Sequence, residues 1–112
     1  MKIYHNPRCS KSRQTLGILE ESKFDFEIVK YLDTPVTRTE IVELLDMLNM
    51  KPLELVRKNE AIWKTEYKGK ELSDSDIIEA LLKNPKLIER PIVVHNNKAV
   101  IGIPPELVKS LF

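Results

Sequence analysis

The first third of the sequence passes from an extended pattern to a helical pattern and back, and this succession constrains the fold most strongly. Lys2–His5 is a short apolar run that Asn6-Pro7 stops, because proline cannot donate to a strand ladder and disfavours helical backbone before it. From Ser10 to about Glu21 the apolar residues recur at helical spacing. From Phe24 to Tyr31 they alternate, which predicts a half-buried strand. A strand-helix-strand unit favours a parallel pair joined by a right-handed crossover.

Two capping patterns and one hairpin pattern organise the rest of the chain. Thr37–Glu40 and Ser73–Asp76 each place a hydroxyl residue three positions before a carboxylate, which is typical of a helix start. Two apolar runs, Ile92–His95 and Lys98–Ile101, flank Asn96-Asn97. These asparagines tolerate the positive φ that a two-residue hairpin turn requires, so the runs predict an antiparallel pair of strands.

These elements, with a last helix from Pro105 to Leu111, predict an α/β fold with a thioredoxin-like ground plan. The hairpin adds antiparallel strands to the parallel pair, which gives a mixed four-stranded sheet. The helices between the second and third strands form a helical insertion. We expect one domain over residues 1–112, because a chain of 112 residues buries roughly two-thirds of its surface around a single core.

Composition excludes several classes of protein. The single cysteine, Cys9, allows neither an internal disulfide nor a cysteine-cluster zinc site, and we expect no metal. The chain has 18 Lys+Arg against 17 Asp+Glu, and a net charge of +1 argues against nucleic acid as an obligatory partner. No apolar run approaches the ~20 residues of a membrane span, and the first residues lack the apolar segment of a signal peptide. We expect a cytoplasmic monomer without a membrane or nucleic-acid partner.

Cys9 lies in the predicted turn between the first strand and the first helix, and this position favours a reactive thiolate. The unpaired N–H groups and the dipole of the helix point towards such a residue. The cationic residues Arg8, Lys11 and Arg13 surround it in the sequence. The backbone amides of Arg8–Ser12 could also hold a tetrahedral oxyanion against the sulfur. A free cysteine is often a core residue, but the polar and charged neighbours favour the reactive interpretation.

The segment Cys9-Ser10-Lys11-Ser12 has the spacing of a Cys-x-x-Cys redox motif with serine in the second cysteine position. Cys9 could therefore attack, but a resolving thiol must come from another molecule. Arg8 and the three residues after Cys9 are the candidate substrate-binding residues. His5 could help to set the charge of Cys9, although a histidine at a strand end is commonly structural.

Three segments together resemble the glutaredoxin-dependent arsenate reductase family, and the similarity covers essentially the whole chain. They are Tyr4-His5-Asn6-Pro7-Arg8-Cys9-Ser10-Lys11-Ser12-Arg13, Leu55-Val56-Arg57-Lys58-Asn59 and Glu89-Arg90-Pro91-Ile92-Val93-Val94. The resemblance implies that Cys9 attacks arsenate while Arg57 and Arg90 bind the oxyanion and stabilise charge. It implies supporting roles for His5, Asn6 and Pro91, with a cis peptide bond before Pro91. It also implies glutathione and glutaredoxin as the electron source, and no tightly bound cofactor.

The residues also leave alternatives open. Arg57 and Arg90 could be surface ion-pairing residues, although the position of Arg90 before an apolar strand favours a functional role. The chain departs from the family at Ile103, where a third arginine usually precedes the proline that opens the last helix. Two further functions are a redox-responsive transcriptional regulator of the Spx type, which binds RNA polymerase, and a monothiol exchange protein without arsenate activity.

Overall fold

Four short strands form one mixed sheet in the computed structural model of the chain, which describes residues 1–112. The strands are β1 (Lys2–Tyr4), β2 (Glu27–Val29), β3 (Ile92–His95) and β4 (Lys98–Ile101), and their order in the sheet is β2-β1-β3-β4. β1 is parallel to β2 and antiparallel to β3, and β3 is antiparallel to β4. The helix α1 (Ser10–Glu21) connects β1 to β2. The predicted α/β fold with a mixed sheet is confirmed.

The two predicted capping boxes begin two of the helices. α2 (Arg38–Leu48) follows Thr37, whose hydroxyl accepts the Glu40 N–H while the Glu40 carboxylate accepts the Thr37 N–H. α4 (Asp74–Lys83) begins with the same reciprocal arrangement. The remaining helical segments are α3 (Ala61–Glu66) and three 3₁₀ helices at Pro52–Leu55, Pro85–Leu87 and Pro105–Leu111. None of the helices combines the length and the apolar character that crossing a membrane requires.

The chain divides into two compact units. The first comprises Met1–Thr34 and Arg90–Phe112 and contains the whole sheet, and the second is the helical insertion, Pro35–Glu89. The buried core cluster of the first unit consists of Ile3, Leu19, Val93 and Val108. Fully or nearly fully buried residues of the second unit include Ile41, Leu44, Leu55, Leu81 and Leu87. The single domain over residues 1–112 stays a prediction.

Two predicted elements differ from the structure. The strand predicted over Phe24–Tyr31 is wrong in its extent, since β2 has only 3 residues. β2 lies at the edge of the sheet and pairs only with β1, and two backbone hydrogen bonds to the Lys30 carbonyl begin a turn directly after it. Ile28 is 44% exposed, so the strand is not half buried. The last helix has the predicted bounds, Pro105–Leu111, but it is a 3₁₀ helix.

The predicted hairpin is confirmed, and it determines where two residues of the site region lie. Asn96 and Asn97 have φ of 51° and 61°, which lets the two-residue turn close. The register pairs Ile92 with Ile101. Pro91 precedes Ile92 and Gly102 follows Ile101, so the two residues are adjacent, and the Gly102 N–H donates to the Pro91 carbonyl at 2.9 Å.

Candidate active site

Cys9 lies at the N-cap position of α1, directly before the first helical residue. Its N–H donates to the Asn6 carbonyl and its own carbonyl accepts the Arg13 N–H, both at 3.0 Å, so the backbone of the turn is held on both sides. No side chain makes a cap hydrogen bond at this end, and the first turn has no acidic residue. The unpaired N–H groups of the helix are therefore available to an anionic sulfur or to a bound anion.

The sheet brings Arg90 to Cys9. β1 and β3 are antiparallel, with Tyr4 opposite Ile92, so the turn after β1 and the residues before β3 lie at the same end of the sheet. Cys9 belongs to that turn, and Arg90-Pro91 directly precedes β3. The Arg90 side chain lies close enough to the Cys9 sulfur as a result to lower the pKa of the thiol. The peptide bond between Arg90 and Pro91 is cis, as the resemblance implies.

Opposing effects act on the ionisation of Cys9. Burial raises the pKa of the Cys9 thiol, because the thiolate loses contact with water. The Ser12 N–H, the Arg90 side chain and the Lys11 N–H lower this pKa because they favour the thiolate, and the positive charge of Arg90 lowers it further. The net result is a pKa below the ordinary value of cysteine.

The positive charge that acts on Cys9 comes from Arg90, which is distant in the sequence, rather than from its sequence neighbours. Arg13 instead donates from Nη1 to the Pro7 carbonyl at 3.0 Å. The side chains of Arg8 and Lys11 are exposed. Substrate binding by these two side chains stays a prediction.

Two backbone N–H groups of the segment Arg8–Ser12, which is predicted to hold an oxyanion, already have partners. The Arg8 N–H donates to the Asn6 side-chain oxygen at 3.0 Å, and the Cys9 N–H donates to the Asn6 carbonyl at 3.0 Å. Asn6 therefore accepts from two of the amides that the sequence predicts to hold an oxyanion, and oxyanion binding by this segment stays a prediction. The N–H groups at the start of the helix itself, from Ser10 to Ser12, are the ones left for the sulfur and an anion.

A buried polar network of His5, Asn6 and Ser12 connects the turn that carries Cys9 to the first turn of α1. His5 is 5% exposed and Ser12 is fully buried. His5 Nδ1 lies 2.7 Å from Ser12 Oγ, and the Asn6 N–H donates to the same oxygen at 3.0 Å. Burial lowers the pKa of His5, and the charges of Lys30 and Arg13 lower it further. The neutral ring is therefore favoured, and His5 acts on the site through Ser12 rather than as a cation.

Arg57 lies in the second unit, directly after the isolated bridge residue Val56. Its N–H donates to the Leu87 carbonyl at 2.7 Å, and its Nε is 3.9 Å from Glu60 Oε1. This ion pair agrees with the alternative interpretation of Arg57 as a surface ion-pairing residue. Oxyanion binding by Arg57 stays a prediction.

Sequence reasoning did not identify two buried residues of the first unit that adjoin the site. The Thr15 hydroxyl donates to the Lys11 carbonyl at 2.9 Å within α1. Gly102 packs closely against both Thr15 and Pro91. A glycine directly after an apolar strand is a sign of close backbone approach, and the position of Gly102 was the available indication.

The chain is similar in sequence and structure to proteins of one family. Residues 4–111 match the family described as the ArsC family. The chain is 49% identical to the Escherichia coli protein described as "Uncharacterized protein YfgD", over 99% of this chain and 95% of that protein. It is 38% identical to an arsenate reductase of Neisseria meningitidis, over 99% of this chain and 97% of that protein. The solved arsenate reductase structure from Vibrio cholerae superposes with a TM-score of 0.94 at 40% identity, covering 100% of this chain and 98% of that one. The predicted thioredoxin-like fold is confirmed.

We expect Arg90→Leu to slow the alkylation of Cys9. Leucine removes a hydrogen bond and a positive charge that favour the thiolate, so the pKa of Cys9 rises and the rate-against-pH profile moves to higher pH. At neutral pH the rate with iodoacetamide should fall about tenfold, which corresponds to about 1.4 kcal/mol. Arg38→Leu removes an arginine that pairs with Glu79 and serves as the matched control. Identical profiles for the two variants would contradict the assignment of Arg90.

We expect Ser12→Ala to destabilise the fold. The substitution removes the oxygen shared by the buried His5 ring and the Asn6 N–H, and should lower the free energy of unfolding by about 1–3 kcal/mol. Urea denaturation measures this change. Ser10→Ala alters an exposed serine of the same helix end and should change stability by less than about 0.5 kcal/mol. Equal stability of the two variants would show that the network contributes nothing.

Proposed function

The chain belongs to the ArsC family, and on that premise we propose that it is a thiol-dependent oxidoreductase that reduces arsenate to arsenite. The observation that carries the proposal is a cysteine at the N-cap of a helix, beside an arginine that lowers the pKa of its thiol. A thiolate is the nucleophilic form of cysteine. Helix N–H groups and a guanidinium both suit a tetrahedral oxyanion. The arsenate reductases of Neisseria meningitidis and Vibrio cholerae, which are similar along the whole chain, support this choice of substrate.

In the first proposed step the Cys9 thiolate attacks arsenic. A sulfur–arsenic bond forms as the bond from arsenic to one of its hydroxyl groups breaks, and that hydroxyl takes up a proton and leaves as water, so arsenic stays in the pentavalent state. The helix N–H groups and the Arg90 guanidinium face the sulfur, where they would stabilise the negative charge of the arsenate oxygens. The resemblance assigns a second cationic contact to Arg57.

In the second proposed step a glutathione thiolate attacks the Cys9 sulfur. A disulfide bond forms between the two sulfurs as the sulfur–arsenic bond breaks, and its electron pair reduces arsenic to the trivalent state, which leaves as arsenite. A glutaredoxin thiol then takes the glutathione, and Cys9 returns to the thiolate. The two electrons come from the sulfurs of Cys9 and glutathione.

The cycle needs a partner thiol because the chain has one cysteine. Ser12 occupies the position of a resolving cysteine in a Cys-x-x-Cys motif, and its hydroxyl is committed to the network with His5 and Asn6. The proposed cycle therefore depends on a reducing compartment such as the cytosol, where glutathione keeps thiols reduced.

We expect the purified chain to reduce arsenate when glutathione and glutaredoxin are supplied, and Cys9→Ser to lower the rate by at least about 10³-fold. Serine is a far weaker nucleophile than a thiolate at neutral pH. The assay couples glutathione disulfide formation to NADPH oxidation, with circular dichroism to verify that the variant folds. A rate for the unaltered chain no higher than that of Cys9→Ser would refute the arsenate reductase proposal. A second experiment tests the alternative function of a transcriptional regulator of the Spx type. Stoichiometric recovery of RNA polymerase in a pull-down with the chain would favour that function.

A second candidate function is monothiol exchange with glutathione mixed disulfides. The observation that favours it is Ile103, an apolar side chain that is 45% exposed at the position where the resemblance implies a third arginine. An additional charge-assisted contact is worth about 1.5–3 kcal/mol, or roughly one to two orders of magnitude.

We expect Ile103→Arg to raise kcat/KM for arsenate by about tenfold or more, because it adds a guanidinium at that position. Leu107→Arg places the same charge on another apolar side chain, 46% exposed, and should leave kcat/KM near that of the unaltered chain. Steady-state kinetics compares the three proteins. Turnover that appears only in Ile103→Arg would favour the exchange function for the natural chain. Equal values for both variants would show that position 103 does not influence arsenate.

A further inference from the structure

Gly102 lies at a point where three parts of the first unit meet without room for a side chain. A Cβ on Gly102 would lie 2.6 Å from Thr15 Oγ1, 3.3 Å from Thr15 Cγ2 and 2.9 Å from Pro91 Cγ. Separations below about 3.0 Å force a neighbour to move, because carbon and oxygen atoms repel each other steeply at that distance. The Gly102 N–H also donates to the Pro91 carbonyl at 2.9 Å, which holds the two backbones together.

Each of the two neighbours of Gly102 leads to a different donor of the Cys9 sulfur. Thr15 belongs to α1, and its hydroxyl donates to the carbonyl of Lys11, whose N–H faces the sulfur. Pro91 is bonded to Arg90, whose side chain acts on the same sulfur and favours the thiolate. Neither Thr15 nor Pro91 is free to move away, since Thr15 is fully buried and Pro91 is buried as well.

We propose that Gly102 is a positioning residue that sets the spacing between the N-terminus of α1 and Arg90, and thereby holds both groups of donors on the Cys9 sulfur at once. It touches neither the sulfur nor the substrate. A methyl group at this position would press α1 and the Arg90-Pro91 segment apart and weaken at least one group of contacts. The inference deepens the proposed function, because it concerns how the same thiolate is stabilised.

The test is the pH profile of Cys9 alkylation in three variants. Gly102→Ala should move the midpoint to higher pH and slow alkylation at neutral pH by about threefold to tenfold, the range that a weakened hydrogen bond to an ion gives. Thr15→Ala in the Gly102→Ala background removes the closest contact, so the midpoint should return part of the way. The midpoint should be highest in Gly102→Ala, lower in the double variant and lowest in the unaltered chain. Thr15→Ala alone measures the effect of losing the Thr15 hydroxyl and is the reference for the double variant.

Two controls separate positioning from loss of stability. Gly17→Ala adds the same methyl group within α1, where no atom lies within 4 Å, and should leave the midpoint unchanged. Val108→Ala destabilises the core of the same unit, and should lower the free energy of unfolding without moving the midpoint. A folded Gly102→Ala whose midpoint equals that of the unaltered chain would overturn the proposal. If Gly102→Ala does not fold, equal midpoints for the double variant and Thr15→Ala would overturn it.

Alkylation requires no arsenate, so the outcome does not depend on the substrate. If the unaltered chain has no arsenate turnover while Gly102→Ala moves the midpoint, the proposed function fails and the role of Gly102 stands. If arsenate is turned over and the Gly102→Ala profile equals that of the unaltered chain, the proposed function stands and the role of Gly102 fails.

Discussion

Groups from two distant parts of the chain act on the sulfur of Cys9, and together they outweigh the cost of removing a thiolate from water. Burial raises the pKa of the thiol, while the N–H groups of Ser12 and Lys11 and the side chain of Arg90 lower it. The helix supplies amides that have no partner within α1, and the arginine supplies a full charge. The same arrangement suits a tetrahedral anion, so one set of donors can serve both the nucleophile and its substrate.

The sheet makes this convergence possible. Because β1 and β3 are antiparallel neighbours, the end of one and the beginning of the other lie side by side, and the chain brings Cys9 and Arg90 together from opposite ends of its sequence. The β3–β4 hairpin then returns the chain to Gly102 beside Pro91. The absence of a side chain at Gly102 allows α1 and the Arg90-Pro91 segment to approach each other closely.

The parts of the structure that depend on local chemistry could be predicted from the sequence. Helix starts at Thr37 and Ser73 and the hairpin turn at Asn96-Asn97 follow from side chains and φ preferences within a few residues. The extent of the edge strand β2 could not be predicted from the sequence, because β2 pairs with one neighbour and its length depends on that pairing. The use of two loop amides by Asn6 depends on the conformation of the turn, which spacing does not specify. The proximity of Arg90 to Cys9 depends on the pairing of β1 with β3. The amino-acid sequence alone did not decide between this role of Arg90 and a surface ion pair.

The most direct test is a pH titration of the Cys9 thiolate by its ultraviolet absorbance, performed on the unaltered chain with and without arsenate. Convergent donors predict a midpoint below the value of about 8.5 for a free cysteine. Arsenate should also protect Cys9 from alkylation, since the anion occupies the same N–H groups and guanidinium. A midpoint at the free-cysteine value, together with no protection by arsenate, would contradict the assignment of Cys9 as a stabilised nucleophile.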